Sequence, residues 1–277
     1  MRHALVTGET PIVPGRHRSV ACMTTTVAAP GLLRRLARGP SAVRRVTRAG
    51  LFLVETFGRL ATTAAQEIPA DAPSRARRLA WVAEQMCALH GVDVIVRGRV
   101  PEGPAVYVAN HLSYLDPLAI VTHAPSLAIA KREVADWPLL GDPMRRLGVL
   151  FVDRDSATSG ARVLLQARRE LLAGASVLAF PEGTTTRGDR VLPFRRGVFG
   201  VARQLRVPVV PVTLRYDTPE AAWVGDEAFL PHYVRTTTRT ATRAYVRFDT
   251  PLDPMAFDSP EALAERSRRH VLAGLLD

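Results

Sequence analysis

Asn110-His111-Leu112-Ser113-Tyr114-Leu115-Asp116-Pro117 sets an imidazole five residues ahead of a carboxylate. In a continuous helix two residues at that separation point about 140° apart, and in a strand they lie on opposite faces. His111 and Asp116 therefore meet only across a turn. Asp116 followed by Pro117 reads as a helix N-cap and first helical residue, which supplies that turn. A neutral imidazole held at one nitrogen by a carboxylate is a good general base for a hydroxyl. The carboxylate fixes the tautomer and stabilises the imidazolium that forms. The same spacing also fits a plain cap at Asp116 with His111 as a surface loop residue.

Two further segments carry polar groups beside apolar runs. Phe180-Pro181-Glu182-Gly183-Thr184-Thr185-Thr186-Arg187-Gly188 reads as a polar loop leaving a buried strand. Gly183 lets backbone approach a ligand, and the threonine hydroxyls of Thr184 to Thr186 with Arg187 offer donors to phosphate oxygens. The alternative is an ordinary glycine-rich turn. In Gly148-Val149-Leu150-Phe151-Val152-Asp153-Arg154 an arginine stands just beyond an apolar strand. Arg154 either grips an anion bidentately or pairs with Asp153 or Asp155.

The elements that would position these groups alternate along the chain. Short β-branched runs at Val94 to Val96, Ala105 to Ala109, Leu127 to Ala130, Val149 to Val152, Ser176 to Phe180, Val209 to Leu214 and Ala244 to Phe248 are separated by helical patterns such as Ala157 to Ala173 and Gly197 to Leu205. This order predicts an α/β fold with a central mixed, mostly parallel sheet flanked by helices. Asn110, His111, Lys131, Arg154 and Glu182 each follow a predicted strand. In an open parallel sheet the carboxyl strand ends line one edge and their loops build the ligand site, so these residues should converge. The last helix starts at Ser259 as cap with Pro260 and Glu261 behind it.

Ahead of the sheet, apolar positions recur at three and four residues between Ser41 and Ala65, with Arg44, Arg45, Arg48 and Arg59 on other faces. A second helix is expected from Ser74 to His90, stopped by Gly91. Together they predict an N-terminal amphipathic helical hairpin. The expected organisation is a flexible segment over 1–30, a basic, membrane-facing helical region over 31–91, and an α/β domain over 92–277. Met23 is an alternative start to Met1, given the loop-like composition of the first 30 residues.

Composition narrows the function. Of 277 residues 47% are hydrophobic and 23% charged, which disfavours disorder and low-complexity classes. The basic side chains comprise 36 arginines and one lysine, Lys131, which lacks the glycines of a phosphate-binding loop. The formal charge is +11, of which residues 1–90 carry +8. With aromatics at 6% there is little sign of base-stacking platforms, so an anionic membrane surface is the expected partner and nucleic acid is not. Cys22 and Cys87 have neither disulfide-framework nor metal-ligand spacing, which suits a reducing compartment. No stretch approaches the roughly 18 apolar residues of a spanning helix, and Met1 to Pro30 does not resemble a secretory signal.

In this order and spacing the segments resemble the glycerolipid acyltransferase family that includes the 1-acylglycerol-3-phosphate acyltransferases, over about residues 90 to 215. Asn110-His111 with Asp116 matches its NHxxxxD block, Gly148 to Arg154 its GxxFxxR block, Phe180 to Thr184 its FPEGT block, and Val207 to Val212 its VPxxPV block. Lys131-Arg132-Glu133 and Leu192 to Gly197 resemble flanking patterns. The resemblance implies transfer of a fatty acyl group from acyl-CoA or an acyl carrier protein to a lysolipid hydroxyl. In that scheme His111 is the base and Asp116 its orienting partner, with no metal, no cofactor and no covalent acyl-enzyme. It assigns substrate binding to Asn110, Lys131, Arg154, Glu182, Gly183, Thr184 and, more weakly, Arg187. The implied location is the cytoplasmic face of the cell membrane, peripheral or monotopic. Many phosphate-acceptor members read EGTR, whereas Thr185 follows Thr184 here. The expected acceptor is 1-acyl-sn-glycerol-3-phosphate, with lyso-ornithine lipid the runner-up. A non-catalytic lipid-surface protein is the reading from another class, and the presence of both His111 and Asp116 argues against it.

Overall fold

The consecutive side chains of Val106–Ala109, strand β2, are all buried. A strand of this kind belongs inside a sheet covered on both faces. A computed structural model of the protein describes residues 41–65, 67–136, 141–225, 227–237 and 241–276. The expected flexible segment 1–30, the alternative start at Met23 and residues 31–40 lie outside the described residues.

The remaining strands are β1 (Val92–Gly98), β3 (Ser126–Lys131), β4 (Leu150–Val152), β5 (Ser176–Ala179), β6 (Val209–Tyr216) and β7 (Thr242–Phe248). They form one sheet in the order β1-β7-β6-β2-β5-β3-β4. β6, β2, β5, β3 and β4 run parallel, β7 is antiparallel to β6, and β1 is parallel to β7. The sheet is therefore mixed and mostly parallel, and the carboxyl ends of its five parallel strands share one edge.

Helices α1 (Ser41–Ala65), α2 (Ala72–His90), α3 (Asp116–Val121), α4 (Arg132–Ala135), α5 (Gly141–Arg146), α6 (Ala157–Leu172), α7 (Gly197–Leu205), α8 (Phe229–Thr237) and α9 (Pro260–Leu276) flank it. The pleat of β2 divides the core. Tyr107 and Ala109 pack with Leu79, Val82 and Met86 of α2 and with Ile120 of α3. Val106 and Val108 pack on the other side with Val163 and Leu171 of α6, Phe199 of α7 and Leu263 of α9. Full burial of each such side chain stabilises by roughly 1.5–3 kcal/mol. The second helix thus contributes to the same core as the sheet.

Most predicted ends agree with the caps observed. Ser156 accepts from the Ser159 N–H at 3.2 Å and Ser259 from the Ala262 N–H at 3.1 Å. α2 begins two residues earlier than expected, because Asp71, not Ser74, accepts the capping bond, from the Ser74 N–H at 2.8 Å. Gly91 ends it with φ 65°, a left-handed value that glycine adopts without penalty.

Asn110 differs from expectation. The residue expected to bind substrate is fully buried in the absence of ligand, its Nδ2 donating to the Leu214 carbonyl and its Oδ1 accepting from the Leu214 N–H, each at 2.8 Å. An amide can occupy a ladder position in this way, so Asn110 extends the β2–β6 pairing by one side-chain rung. Asn110→Ala leaves both Leu214 groups without that partner, and each unsatisfied buried group costs about 1–3 kcal/mol. A stability loss of at least about 2 kcal/mol in urea unfolding is expected; a loss within error would mean that the rung is dispensable.

Candidate active site

Just beyond β2 the chain turns so that the His111 Nδ1 lies 2.7 Å from Asp116 Oδ2. The same oxygen accepts from the backbone N–H groups of Leu112 at 2.6 Å and Ser113 at 2.9 Å. The other oxygen, Oδ1, accepts from the Tyr216 hydroxyl at 2.8 Å. Asp116 is 0% exposed, so its charge depends on these donors, because a buried carboxylate without them is strongly disfavoured. An acceptor at Nδ1 fixes the proton there and leaves Nε2 as the basic nitrogen. The ring stacks on Phe180 with centroids 4.2 Å apart, which removes its remaining freedom to tilt.

The expectation that Asp116 caps α3 is corrected by this geometry. The helix starts at Asp116 itself, the preceding Leu115 makes no side-chain cap, and the carboxylate points back to the loop that it follows. Pro117 still occupies the first turn, where its missing N–H costs nothing.

Glu182 holds the main chain of the same histidine. Its Oε1 accepts from the His111 N–H and its Oε2 from the Leu192 N–H, both at 2.8 Å. Burial pushes its carboxyl above the ordinary range, while the two N–H donors pull it down. Gly183 follows with φ 74°, and a Cβ there would stand 2.8 Å from the Arg195 guanidinium. The tight turn and the approach of Arg195 both require glycine. Glu182 and Gly183, expected to bind substrate, thus shape the loop, and neither is among the residues lining the neighbouring cleft.

That cleft, of about 590 Å³, opens beside His111. Lys131, Arg154 and Thr184 also line it, so three of the expected binding residues converge with the histidine from the ends of β3, β4 and β5. Lys131 pairs with Glu133 at 2.7 Å. Burial, and then the neighbouring Arg195 charge, lowers the Arg154 guanidinium from its ordinary value. Arg187 is exposed and lies outside the lining. Thr185 donates through its hydroxyl to the Trp223 carbonyl at 2.5 Å, and the Trp223 N–H donates to Leu112 O at 2.8 Å. Much of the remaining wall is apolar, with Leu79, Met86, Leu118, Val121 and Met144 in it.

The sequence alone assigned no role to Tyr216, to Phe180 within its FPEGT block, or to the aromatic wall formed by Tyr114, Trp223 and Phe229. Tyr216 did leave a signal: a phenol at the carboxyl end of an apolar strand, on the edge where the site had been placed.

A carboxylate-held imidazole in the wall of a largely apolar cleft, on the carboxyl edge of an open sheet, has the geometry that general-base chemistry requires. The family profile described as Acyltransferase matches residues 90–215. The chain is 32% identical over 209 residues to the lyso-ornithine lipid O-acyltransferase of Pseudomonas aeruginosa, covering 73% of this chain and 80% of that one. It is 33% identical to 1-acyl-sn-glycerol-3-phosphate acyltransferase alpha of Ovis aries, covering 66% and 63% respectively. The crystal structure of the 1-acyl-sn-glycerophosphate acyltransferase PlsC from Thermotoga maritima shares the fold, with a TM-score of 0.58 at 23% identity over 88% of this chain and 94% of that one. The chain belongs to the glycerolipid acyltransferase family.

The donor set of Asp116 sets its energetic weight. Truncation to Ala strips the acceptor from two buried N–H groups, a phenol and an imidazole, so Asp116→Ala should cost roughly 3–5 kcal/mol, as for breaking a buried pair. A helix cap alone would cost about 0.5–2 kcal/mol. Chemical denaturation of Asp116→Ala beside wild type separates the two, and a loss inside the cap range would contradict the buried network.

Proposed function

We propose that the protein is an O-acyltransferase that moves a fatty acyl group from an acyl thioester, acyl-CoA or acyl carrier protein, to the hydroxyl of a lysolipid. The observation that carries this reading is the His111–Asp116 pair, with His111 in the wall of the apolar cleft. In the reaction the acceptor hydroxyl oxygen attacks the thioester carbonyl while His111 Nε2 takes its proton. Asp116 stabilises the imidazolium. The tetrahedral intermediate collapses with cleavage of the C–S bond, and the departing sulfur takes the proton back from His111 and leaves as a thiol. No enzyme nucleophile is needed. Burial pushes the Cys87 thiol up to about 11, which leaves it almost wholly protonated at neutral pH.

The acceptor assigned is 1-acyl-sn-glycerol-3-phosphate, giving phosphatidic acid, with Arg154 and Lys131 in the cleft as the cations for its phosphate. A lyso-ornithine lipid is the second reading. Two observations favour it: the position that carries arginine in many phosphate-acceptor members is Thr185, whose hydroxyl is engaged by Trp223, and the Pseudomonas aeruginosa relative is named for that lipid. Full-length protein given labelled acyl-CoA and a panel of lysolipids decides between them. His111→Ala should lower transfer at least about 10²–10⁴-fold in a protein that still folds, with a lower melting temperature because Asp116 loses one of its donors. Arg154→Ala should raise KM for the phosphate acceptor roughly 10- to 150-fold, the loss of one charge-assisted hydrogen bond. Near-normal turnover of a folded His111→Ala protein overturns the mechanism. Preference for lyso-ornithine lipid, with acceptor KM insensitive to Arg154→Ala, replaces the phosphate acceptor by the second reading.

We further propose that α1 rests on an anionic membrane at the cytoplasmic face. Leu51 and Val54 are 42% and 71% exposed on it, and Arg48 is exposed on the same helix. Among the described residues no helix is long and apolar enough to cross a membrane. An apolar stripe with arginine at its side lies in the interface plane and binds less tightly as salt rises. Leu51→Glu with Val54→Glu should shift the protein from sedimenting anionic vesicles to the supernatant. Unchanged sedimentation would make α1 a structural brace only.

A further inference from the structure

Tyr216 ends β6, the strand beside β2 on the edge where His111 stands. Its hydroxyl donates to Asp116 Oδ1 at 2.8 Å, the oxygen that the imidazole does not use. The two oxygens are unequally served. Oδ2 faces three groups, His111, Leu112 and Ser113, whereas Tyr216 makes the one hydrogen bond to Oδ1 found among the described residues. Tyr216 is not among the residues that line the cleft, so it is placed to act on His111 through Asp116.

We infer that Tyr216 is a positioning residue for acyl transfer: by holding Asp116 Oδ1 it sets the plane of the carboxylate, and through it the direction in which His111 presents Nε2. This rests on the reading of His111 as the general base. Desolvation, then the Asp116 charge, holds the phenol well above its ordinary value, so it remains a donor across the working pH range. The other titratable groups facing this cluster are Glu182 after β5, Cys87 on α2 and Tyr114 before α3. Each is present in the variants below, so a shift in pH profile reports the Tyr216 bond.

The test uses full-length protein in the acyl-transfer assay with the lysolipid that wild type accepts best. Tyr216→Phe keeps the ring and removes the donor. A lost hydrogen bond to a charged group corresponds to roughly 10- to 150-fold, and kcat should fall by that order while both KM values stay within about twofold. With no donor on Oδ1, the carboxylate presents more negative charge to the imidazolium, which favours the protonated form. The acid limb of the pH profile should therefore move to higher pH. Site-specific 3-fluorotyrosine at position 216, a stronger donor of the same shape, should move that limb to lower pH and keep kcat near wild type, and it serves where Tyr216→Phe does not fold. In an Asp116→Asn background the two Tyr216 changes should lose most of their effect. Wild-type kcat and an unmoved acid limb in Tyr216→Phe overturn the inference. So does a fall in kcat with the acid limb unmoved in both variants, which is the outcome of a purely structural role. A wild type without transfer to any lysolipid overturns the general-base reading itself.

Discussion

A carboxylate withdrawn from water needs hydrogen-bond donors, and the organisation of this site follows from the way Asp116 obtains them. Its desolvation penalty is several kcal/mol, which fixed donors must offset. Four arrive from two parts of the chain: the His111 imidazole with the backbone of Leu112 and Ser113, and Tyr216 at the end of β6. The turn between His111 and Asp116 is therefore closed by charge as much as by backbone preference. The imidazole is held because it is one of the groups that satisfies the charge.

A second carboxylate divides the work. Asp116 holds the side chain of His111, and Glu182 holds its main-chain N–H from the neighbouring strand end. The residue is thus fixed at both ends by segments that are 5 and 71 positions away. Phe180 stacks on the ring from the segment after β5 that also carries Glu182, and His111 follows β2, with the parallel pairing of the two strands setting the distance. This arrangement needs rigid elements, because general-base efficiency depends on geometry held to fractions of an ångström. The cleft beside the histidine is built differently. Lys131 and Arg154 reach the cleft as long side chains beside an apolar wall, which suits recognition of an amphiphile.

Much of this was legible before the fold was known. The strand-helix alternation, the polar residues after strands and the convergence of Lys131 and Arg154 with His111 follow from periodicity and from the rule that carboxyl ends of parallel strands share an edge. Roles were less legible than places. Asp116 before Pro117 has the local pattern of a cap, and that pattern fails because its carboxylate has better donors behind it than ahead. Asn110 and Glu182 look like ligands in a motif but satisfy backbone groups. Thr185, conspicuous as a departure from EGTR, proved to be a tie to the Trp223 segment.

By itself the sequence determined which residue types stand at strand ends and which faces are apolar, since these depend on spacing along the chain and on side-chain chemistry. Tertiary structure alone decided what each polar group faces. Asn110 meets Leu214 and Tyr216 meets Asp116 across 104 and 100 positions, and no local pattern encodes such a pairing. The partner of a buried polar atom is set by strand order and register, which fix which strand lies next to which and at what height. The sheet order that puts β6 beside β2 is what turns a phenol at the end of one strand into the second anchor of a carboxylate that follows another.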